Sequence, residues 1–231
     1  MASTLVALIL GAGPRVGAGV AREFSKIGYK VALVSKSGSD STTSEGYLSL
    51  KADLADLNTV PGIFQRVYNE WKASPSVVIW NAGARTVPPV DDDMFSLAQE
   101  SLVQDININA LGPYVAAQQA VDGWRTLAEG AKKTFIYTGN KMNIQPLSLP
   151  ATATLGMGKS ASSYWISLAD NLYQGKGARF FYADQRQADG NMGGMGLDGD
   201  AHGQFFVQLA QHEKDIPWLA TFVPGTGYVK F

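Results

Sequence analysis

Apolar residues occur along the chain in short runs, separated by longer stretches in which they recur at helical spacing. The first run, Leu5 to Leu10, leads directly into a glycine-rich turn. Apolar side chains then recur at helical spacing from Val16 to Ile27, and a second apolar run spans Val31 to Val34. A strand, a turn, an amphipathic helix and a second strand in this order predict a β-α-β unit.

The same alternation continues to the end of the chain. Further strands are predicted at 47–50, 77–80, 134–137, 179–184 and 218–223. Further helices are predicted at 59–71, 102–128, 153–174 and 201–211. The polar stretch 35–44 is predicted to be a surface loop. Because strands and helices alternate, we expect one α/β domain over 1–231, a doubly wound parallel sheet with helices on both faces, the Rossmann fold.

Composition and charge narrow the classes of partner. The 231 residues carry a formal net charge of −1 and contain no basic run, which argues against nucleic acid or an anionic membrane surface. No apolar segment reaches the roughly 18 residues that a membrane span requires. The first apolar run follows no basic residue, so it is interpreted as a strand and not as a signal peptide. A small-molecule ligand is the remaining expectation.

The chain contains no cysteine and two histidines. Disulfides, thiolate metal sites and a cysteine nucleophile are therefore excluded, and a histidine-based metal site is not expected. The absence of cysteine also fits a reducing compartment, and we expect the protein in the cytoplasm.

The glycine-rich turn between the first strand and helix is typical of a dinucleotide phosphate site. Glycines there permit a tight turn, close approach of backbone amides to a pyrophosphate, and close packing of the helix on its strand. The pyrophosphate would lie at the helix N-terminus, where N–H groups and the helix dipole favour negative charge. A glycine-rich turn that binds nothing is the alternative. The turn residues predicted to bind the cofactor are Gly11, Gly13, Arg15, Val16 and Gly17.

The residues after the second strand bear on which dinucleotide binds. In a β-α-β unit of this kind, an acidic residue there binds the ribose 2′-OH of NAD, whereas a basic residue accepts the 2′-phosphate of NADP. Ser35 and Lys36 occupy this position, without a carboxylate. NADP is therefore predicted over NAD, with Arg15 as a second contact; the alternative is that Lys36 is an ordinary solvated lysine.

Four motifs in order give the chain a resemblance to the short-chain dehydrogenase/reductase family over nearly its whole length. The spacing Gly13-x-x-x-Gly17-x-Gly19 resembles that family's cofactor turn, and Asp53-Leu54 resembles the pair that meets the adenine. Asn81-Ala82-Gly83 resembles the signature after the fourth strand, and Asn109-Ala110-Leu111-Gly112 resembles the segment that carries the catalytic asparagine. The resemblance implies that these residues bind the cofactor or, for Asn109, assist catalysis.

The resemblance breaks after the predicted strand 134–137. Family members place a serine in the following turn, and later a tyrosine one helical turn before a lysine. Lys159 matches the lysine, but Leu155 stands at the tyrosine position, and the serine position falls on Asn140 or Met142. After strand 179–184, residues 185–190 replace the family's Pro-Gly turn. The resemblance therefore implies Asn109, Asn140 and Lys159 as catalytic candidates, with Lys159 also binding the nicotinamide ribose.

These observations favour an atypical NADP(H)-dependent oxidoreductase acting on a carbonyl or alcohol of a small apolar molecule. Hydride transfer to a carbonyl needs a proton for the alkoxide, which leucine cannot supply. The alternatives are a cofactor-binding protein without turnover, or a non-redox enzyme such as a cyclase or lyase. The resemblance also implies a homodimer or homotetramer assembled through helices 109–128 and 153–174.

Overall fold

The computed structural model describes residues 4–213 and 216–231, and most of them belong to strands or helices. The strands are β1 (Val6–Leu10), β2 (Lys30–Ser35), β3 (Ser41–Thr42), β4 (Leu48–Lys51), β5 (Val77–Trp80), β6 (Lys133–Thr138), β7 (Ala178–Gln185), β8 (Leu219–Val223) and β9 (Gly227–Tyr228). The helices are α1 (Val16–Lys26), α2 (Thr59–Trp71), α3 (Gln99–Ile106), α4 (Gly112–Trp124), α5 (Ala153–Tyr173) and α6 (Gly199–Ala210).

All strands lie in one sheet, in the order β3-β4-β2-β1-β5-β6-β7-β8-β9. From β4 to β8 neighbouring strands pair parallel, while the two edge strands β3 and β9 pair antiparallel. The predicted doubly wound sheet is therefore confirmed, with short antiparallel additions at its edges. The strand order reverses at β1 and β5, and in such sheets ligands bind beside this point, beyond the carboxyl ends of the strands.

The sheet separates two apolar cores, as a strand period of two requires. Along β1, Leu8 belongs to the core beneath α2, α4 and α5, whereas Ile9 belongs to the core beneath α1 and α6. Helices thus cover both faces, as predicted. None of the helices in the described ranges has the length and apolar character needed to cross a membrane.

Two expectations from the sequence need correction. The stretch 35–44, predicted to be a loop, contains strand β3, which Asp40 helps to fix by accepting a hydrogen bond from the backbone N–H of Lys51 at 2.7 Å. The continuous helix predicted at 102–128 is instead α3 and α4, joined by a π-helical turn at Asn107–Leu111.

The π turn has an identifiable chemical cause. Pro113 lacks the N–H that an α-helix would direct to the carbonyl of Asn109. That carbonyl instead accepts hydrogen bonds from the Tyr137 and Ser162 hydroxyls, both at 2.9 Å. The indole Nε1 of Trp80 donates to the neighbouring carbonyl of Ile108 at 3.0 Å. Side chains from β5, β6 and α5 therefore take up backbone acceptors that the wider turn exposes.

Candidate active site

The glycine turn meets the Asn81-Ala82-Gly83 segment above β1 and β5. Gly11 has φ +93°, and a Cβ atom there would lie 2.3 Å from the backbone nitrogen of Ala82. Asn81 fixes the contact, because its Nδ2 donates to the Gly11 carbonyl at 2.7 Å. A Cβ at Gly17 would lie 2.7 Å from the Cα of Ala12, so glycine lets α1 start close to the turn. Two predicted cofactor motifs are therefore in direct contact.

The N-terminus of α1 fits a dinucleotide phosphate. Within the described residues, no side chain caps this helix end and its first turn holds no acidic residue. A Cβ added to Gly13 would meet no atom within 4 Å, which leaves its backbone open to a ligand. Backbone N–H groups and the helix dipole favour an anion at such an end. Gly13, Arg15 and Val16 line a cavity of about 580 Å³ that extends to Lys159.

Lys36 and Asp53, predicted to meet opposite parts of the adenosine, form an ion pair. The Lys36 Nζ lies 3.1 Å from Asp53 Oδ2, and both side chains are more than half exposed. The backbone N–H of Ala55 donates to Asp53 at 3.0 Å, and this bond, followed by Lys36, lowers the pKa of that carboxyl. The side chain of Leu54 is buried in the core, which leaves its backbone for a cofactor contact.

Asn109 lies behind the wall of the cavity. Its residue is 0% exposed, its Oδ1 accepts from the backbone N–H of Ala84 at 2.9 Å, and its Nδ2 donates to the Ala84 carbonyl at 2.8 Å. A Cβ at Gly158 would lie 2.2 Å from the Asn109 Cβ, so α5 packs closely here. The Asn109 side chain therefore fixes the segment that follows β5.

Asn140 lines the cavity just past the end of β6. Its Oδ1 accepts from the backbone N–H of Met142 at 3.0 Å. The Tyr182 hydroxyl donates to the Asn140 carbonyl at 2.7 Å and accepts from the Asn140 N–H at 3.1 Å. The turn is therefore held from both sides.

Lys159 and Leu155 line the same cavity from adjacent turns of α5. Lys159 is 5% exposed, and its Nζ donates to the Thr138 carbonyl at 2.7 Å. The Nζ also lies 4.3 Å from the centre of the Tyr137 ring. Burial lowers the pKa of Lys159 to about 7, against an opposing effect of the Asp184 carboxylate.

The structure places a buried ion pair, Asp184 and Arg186, next to these groups. Arg186 Nε donates to Asp184 Oδ2 at 2.5 Å, with both side chains almost fully buried. Arg186 also donates to the Gly190 carbonyl at 3.0 Å. Across the described ranges, Asp184 Oδ1 has no hydrogen-bond partner. Burial raises the pKa of Asp184 to about 6.

Reasoning from the sequence did not select this pair. The available signal was the charged residues that follow an aromatic strand, in place of a Pro-Gly turn. What the sequence did not reveal is that Asp184 is fully buried and acts on the charge of Lys159.

A curated relative covers almost the entire chain. The short chain dehydrogenase/reductase dmxR12 of Cryptosporiopsis sp. (strain 8999) is 38% identical over 240 residues, which is 99% of this chain and 96% of the relative. The chain belongs to the short-chain dehydrogenase/reductase family. No family model matches the sequence.

Solved structures of short-chain dehydrogenases/reductases share the fold at low identity. A metagenomic short-chain oxidoreductase in complex with NADP has a TM-score of 0.78 at 15% identity, covering 95% of this chain and 97% of its own. The 3-ketoacyl-(acyl-carrier-protein) reductase of Brucella melitensis, complexed with NADH, has a TM-score of 0.78 at 17% identity, with 96% and 97% covered. An enzyme from Serratia marcescens BCRC 10948 reaches 0.72 at 18% identity, with 96% of each chain covered.

A second cavity of this short-chain dehydrogenase/reductase adjoins the first. It encloses about 800 Å³, and Met142 lines both cavities. Its apolar lining comes mainly from the segment between β6 and α5 and from the first turns of α5. The apolar residues concerned are Met94, Met142, Ile144, Leu147, Leu149 and Met157.

Proposed function

We propose that this short-chain dehydrogenase/reductase uses NADPH to reduce a carbonyl group in a small apolar molecule, and that it does so without the family's tyrosine. The observation that carries the proposal is the cavity shared by the glycine turn and the buried Lys159. A phosphate site and a titratable amine at opposite ends of one cleft suit a dinucleotide that delivers hydride near the amine.

Lys36 supports NADPH as the reductant. The Lys36 side chain follows β2 and is more than half exposed, and its partner Asp53 is also exposed. An exposed ion pair is worth little in water, so a 2′-phosphate can take Lys36 from Asp53 at small cost. Ser35 and Ser37, whose hydroxyl oxygens lie 3.4 Å apart, flank Lys36 and offer further donors.

Leu155 and Asn140 define how the site differs from a tyrosine-dependent one. Leu155 lies where the side chain one turn before Lys159 faces the cleft, and leucine has no proton to give. Because Asn140 Oδ1 accepts from Met142, the Nδ2 group remains as the donor end of that amide. Asn140 can therefore stabilise an oxyanion by hydrogen bonding.

The second cavity defines the class of substrate. Its methionine, leucine and isoleucine side chains favour an apolar molecule, and methionine adapts to irregular shapes. Because Met142 lines both cavities, a molecule bound there can present a carbonyl to the cleft that holds Lys159.

Anaerobic oxidation of NADPH with a quinone or an α-diketone tests the proposal. We expect substrate-dependent loss of absorbance at the reduced nicotinamide, faster with NADPH than with NADH at equal subsaturating concentrations. Lys159→Ala should abolish turnover, while the exposed variant Lys72→Ala, remote from the cavity, serves as the matched control. Tight binding of NADPH without oxidation by any carbonyl of this class would contradict the proposal.

That outcome would favour the second candidate, a cofactor-binding protein or a non-redox enzyme. The observation in its favour is again Leu155, which leaves the cleft without a phenol. Calorimetric binding of NADPH separates this candidate from a chain that binds no dinucleotide.

We also propose a homodimer or homotetramer. Helix α5 exposes a stripe of large apolar side chains, with Tyr164 76%, Leu168 51% and Leu172 58% exposed. A groove of about 420 Å³ between α4 and α5 continues this apolar surface. In a two-fold interface one such face serves both chains. Light scattering should give at least twice the chain mass, and Leu168→Glu should shift the mass toward the monomer.

A further inference from the structure

We propose that Lys159 is itself the proton donor to the carbonyl oxygen, and that the buried pair of Asp184 and Arg186 is the positioning device that keeps Lys159 in its ammonium form. This inference rests on the proposed reductase function and assigns the proton that Leu155 cannot supply.

Lys159 is placed to act as a donor. An ammonium group has three N–H donors, and the one hydrogen bond that Lys159 makes within the described residues goes to the Thr138 carbonyl. Two donors therefore remain for ligands. Since Lys159 and Leu155 line the same cavity from adjacent turns of α5, these donors are available to a ligand in that cavity.

Asp184 has one oxygen committed and one available. Its Oδ2 is fixed by Arg186 Nε, whereas Oδ1 is buried without a partner among the residues described. An unsatisfied buried carboxylate oxygen is costly, and a nearby cation reduces that cost. Lys159 bonds the Thr138 carbonyl, and Thr138 pairs with Ala183, the residue before Asp184, in the adjacent strand. The Asp184 carboxylate accordingly favours the charged form of Lys159 against the effect of burial.

Arg186 keeps the carboxylate in place. It is buried, it binds both Asp184 and the Gly190 carbonyl, and a guanidinium does not release its proton. The Asp184 carboxylate therefore keeps its hydrogen bond to Arg186 while its charge acts on Lys159.

The other titratable groups around Lys159 make its charge depend on Asp184. Tyr137 on β6 lies beneath the ammonium, and Tyr182 on β7 stacks against Tyr137. Lys141, just after β6, donates to the same Gly190 carbonyl as Arg186 and acts on the charge of Asp184. Lys159, Lys141 and Arg186 thus all act on the charge of Asp184, and this carboxylate offsets the effect of burial on Lys159.

The step transfers one hydride and one proton to the carbonyl group. The carbonyl carbon gains a hydride from the reduced nicotinamide, and the electron pair of the C=O π bond moves to oxygen. That oxygen takes a proton from Lys159 Nζ, whose N–H bond breaks and leaves a neutral amine. The products are an alcohol and the oxidised dinucleotide, and Lys159 regains its proton from water.

The charge state of Lys159 predicts the pH dependence. Burial lowers the pKa of Lys159 to about 7, so both forms are populated near neutral pH, as a general acid requires. Because the ammonium is the reactive form, the rate of reduction should fall as pH rises through this value.

The test compares Asp184→Asn with Asp170→Asn, a buried aspartate that also pairs with an arginine but lies outside the cleft. The pH profile of single-turnover reduction is measured, together with the Lys159 titration by NMR of ¹³C-labelled lysine in the cofactor-free protein. In Asp184→Asn we expect both midpoints to move down by about one pKa unit. Asp170→Asn should leave both unmoved.

Lys159→Arg separates proton donation from charge. Arginine keeps the cation but holds its proton, so reduction should fall by about 10²-fold or more while NADPH affinity changes little. Full activity of Lys159→Arg, or unmoved midpoints in Asp184→Asn with normal turnover, would overturn the inference and leave the reductase proposal intact. An absence of turnover in the wild-type protein would overturn both, with the NMR titration still reporting whether Asp184 controls the charge of Lys159.

Discussion

Strand β7 is flanked by two buried Asp–Arg pairs that are satisfied in different ways. Near its amino end, Arg179 donates to Asp170 of α5 through Nε at 2.7 Å and Nη2 at 3.1 Å, and the Phe180 N–H donates at 2.9 Å. Near its carboxyl end, Asp184 receives a single donor from Arg186, and its other oxygen is left without a partner in the described ranges.

The difference separates a structural pair from one coupled to the cleft. Every polar atom of the Asp170 carboxylate is bonded, so the pair joins α5 to β7 and needs nothing further. Asp184 retains an unsatisfied oxygen and acts on the charge of Lys159, and burial raises the pKa of Asp184 to about 6. Buried polar groups that lack a hydrogen-bond partner, and titratable groups with shifted pKa values, cluster at functional sites, where the destabilisation they cause is part of the mechanism.

Breaking the amino-end pair should have the largest effect on stability. In Asp170→Asn the bidentate charge-assisted contact is lost and Arg179 remains largely buried. We expect the free energy of unfolding to fall by about 3 kcal/mol, measured by urea denaturation. NADPH affinity, measured by calorimetry, should stay within about twofold of the wild-type value. A loss below about 1 kcal/mol would show that this pair is not the stabilising one.

Restoring a phenol at the other end should have an effect of similar size on rate. In Leu155→Tyr the hydroxyl would enter the cleft one turn from Lys159, where a cation lowers the pKa of a phenol. We expect reduction of a quinone to rise by about 10²-fold, or about 2.7 kcal/mol. Leu155→Phe supplies the same ring without the hydroxyl, and an equal gain in that variant would refute the explanation.

The free energy of unfolding should depend on pH through Lys159 and Asp184, near the carboxyl end of β7. The pKa of Lys159 is lowered from 10.5 to about 7, so between these values the unfolded chain binds more protons and the free energy of unfolding rises with pH. Asp184 acts oppositely below about 6, because its raised pKa makes stability fall as pH increases toward that value.

Lys159→Met should remove the alkaline rise. We expect a difference of about 2 kcal/mol between the two proteins in the change from pH 7 to pH 9, measured by urea denaturation at each pH. Asp170→Asn should keep the wild-type slope. Parallel curves for wild type and Lys159→Met would mean that Lys159 is charged throughout this range.

Loss of the distal lysine should have the smallest effect. In Lys36→Ala one charge-assisted contact to the 2′-phosphate is lost, and we expect NADPH to bind about tenfold more weakly by calorimetry. NADH affinity should remain unchanged. Lys72→Ala is the matched control, because it removes an exposed lysine that does not line the cavity. An equal loss for both dinucleotides would remove the basis for preferring NADPH.

The sequence predicts those features that depend on local pattern. Apolar runs predicted the buried strands β1, β2 and β5, and the glycine turn predicted the close packing at the start of α1 that Gly17 allows. The alternation of strands and helices was enough for the doubly wound sheet.

Contacts between residues that are far apart in the sequence could not be predicted from local pattern. Lys36 and Asp53 form an ion pair because β2 and β4 are neighbours in the sheet and end at the same level. The two motifs were assigned separately, so the sequence did not predict this contact. The unsatisfied oxygen of Asp184 depends on side-chain orientation at the end of β7. The π turn follows from Pro113 together with the Tyr137 and Ser162 hydroxyls, which donate to the Asn109 carbonyl, whereas helical periodicity alone favours an unbroken helix.

The π turn at 107–111 has a consequence for insertions and deletions. A π turn holds one more residue than an α turn over nearly the same rotation, so removing one residue from it would restore regular α geometry while α3 and α4 kept their present faces. Asp105, which accepts hydrogen bonds from Thr86 at 2.8 Å and Thr154 at 2.6 Å, would keep both contacts. A one-residue deletion in this turn should therefore be tolerated better than the same deletion within α4, which would rotate every preceding side chain by about 100°.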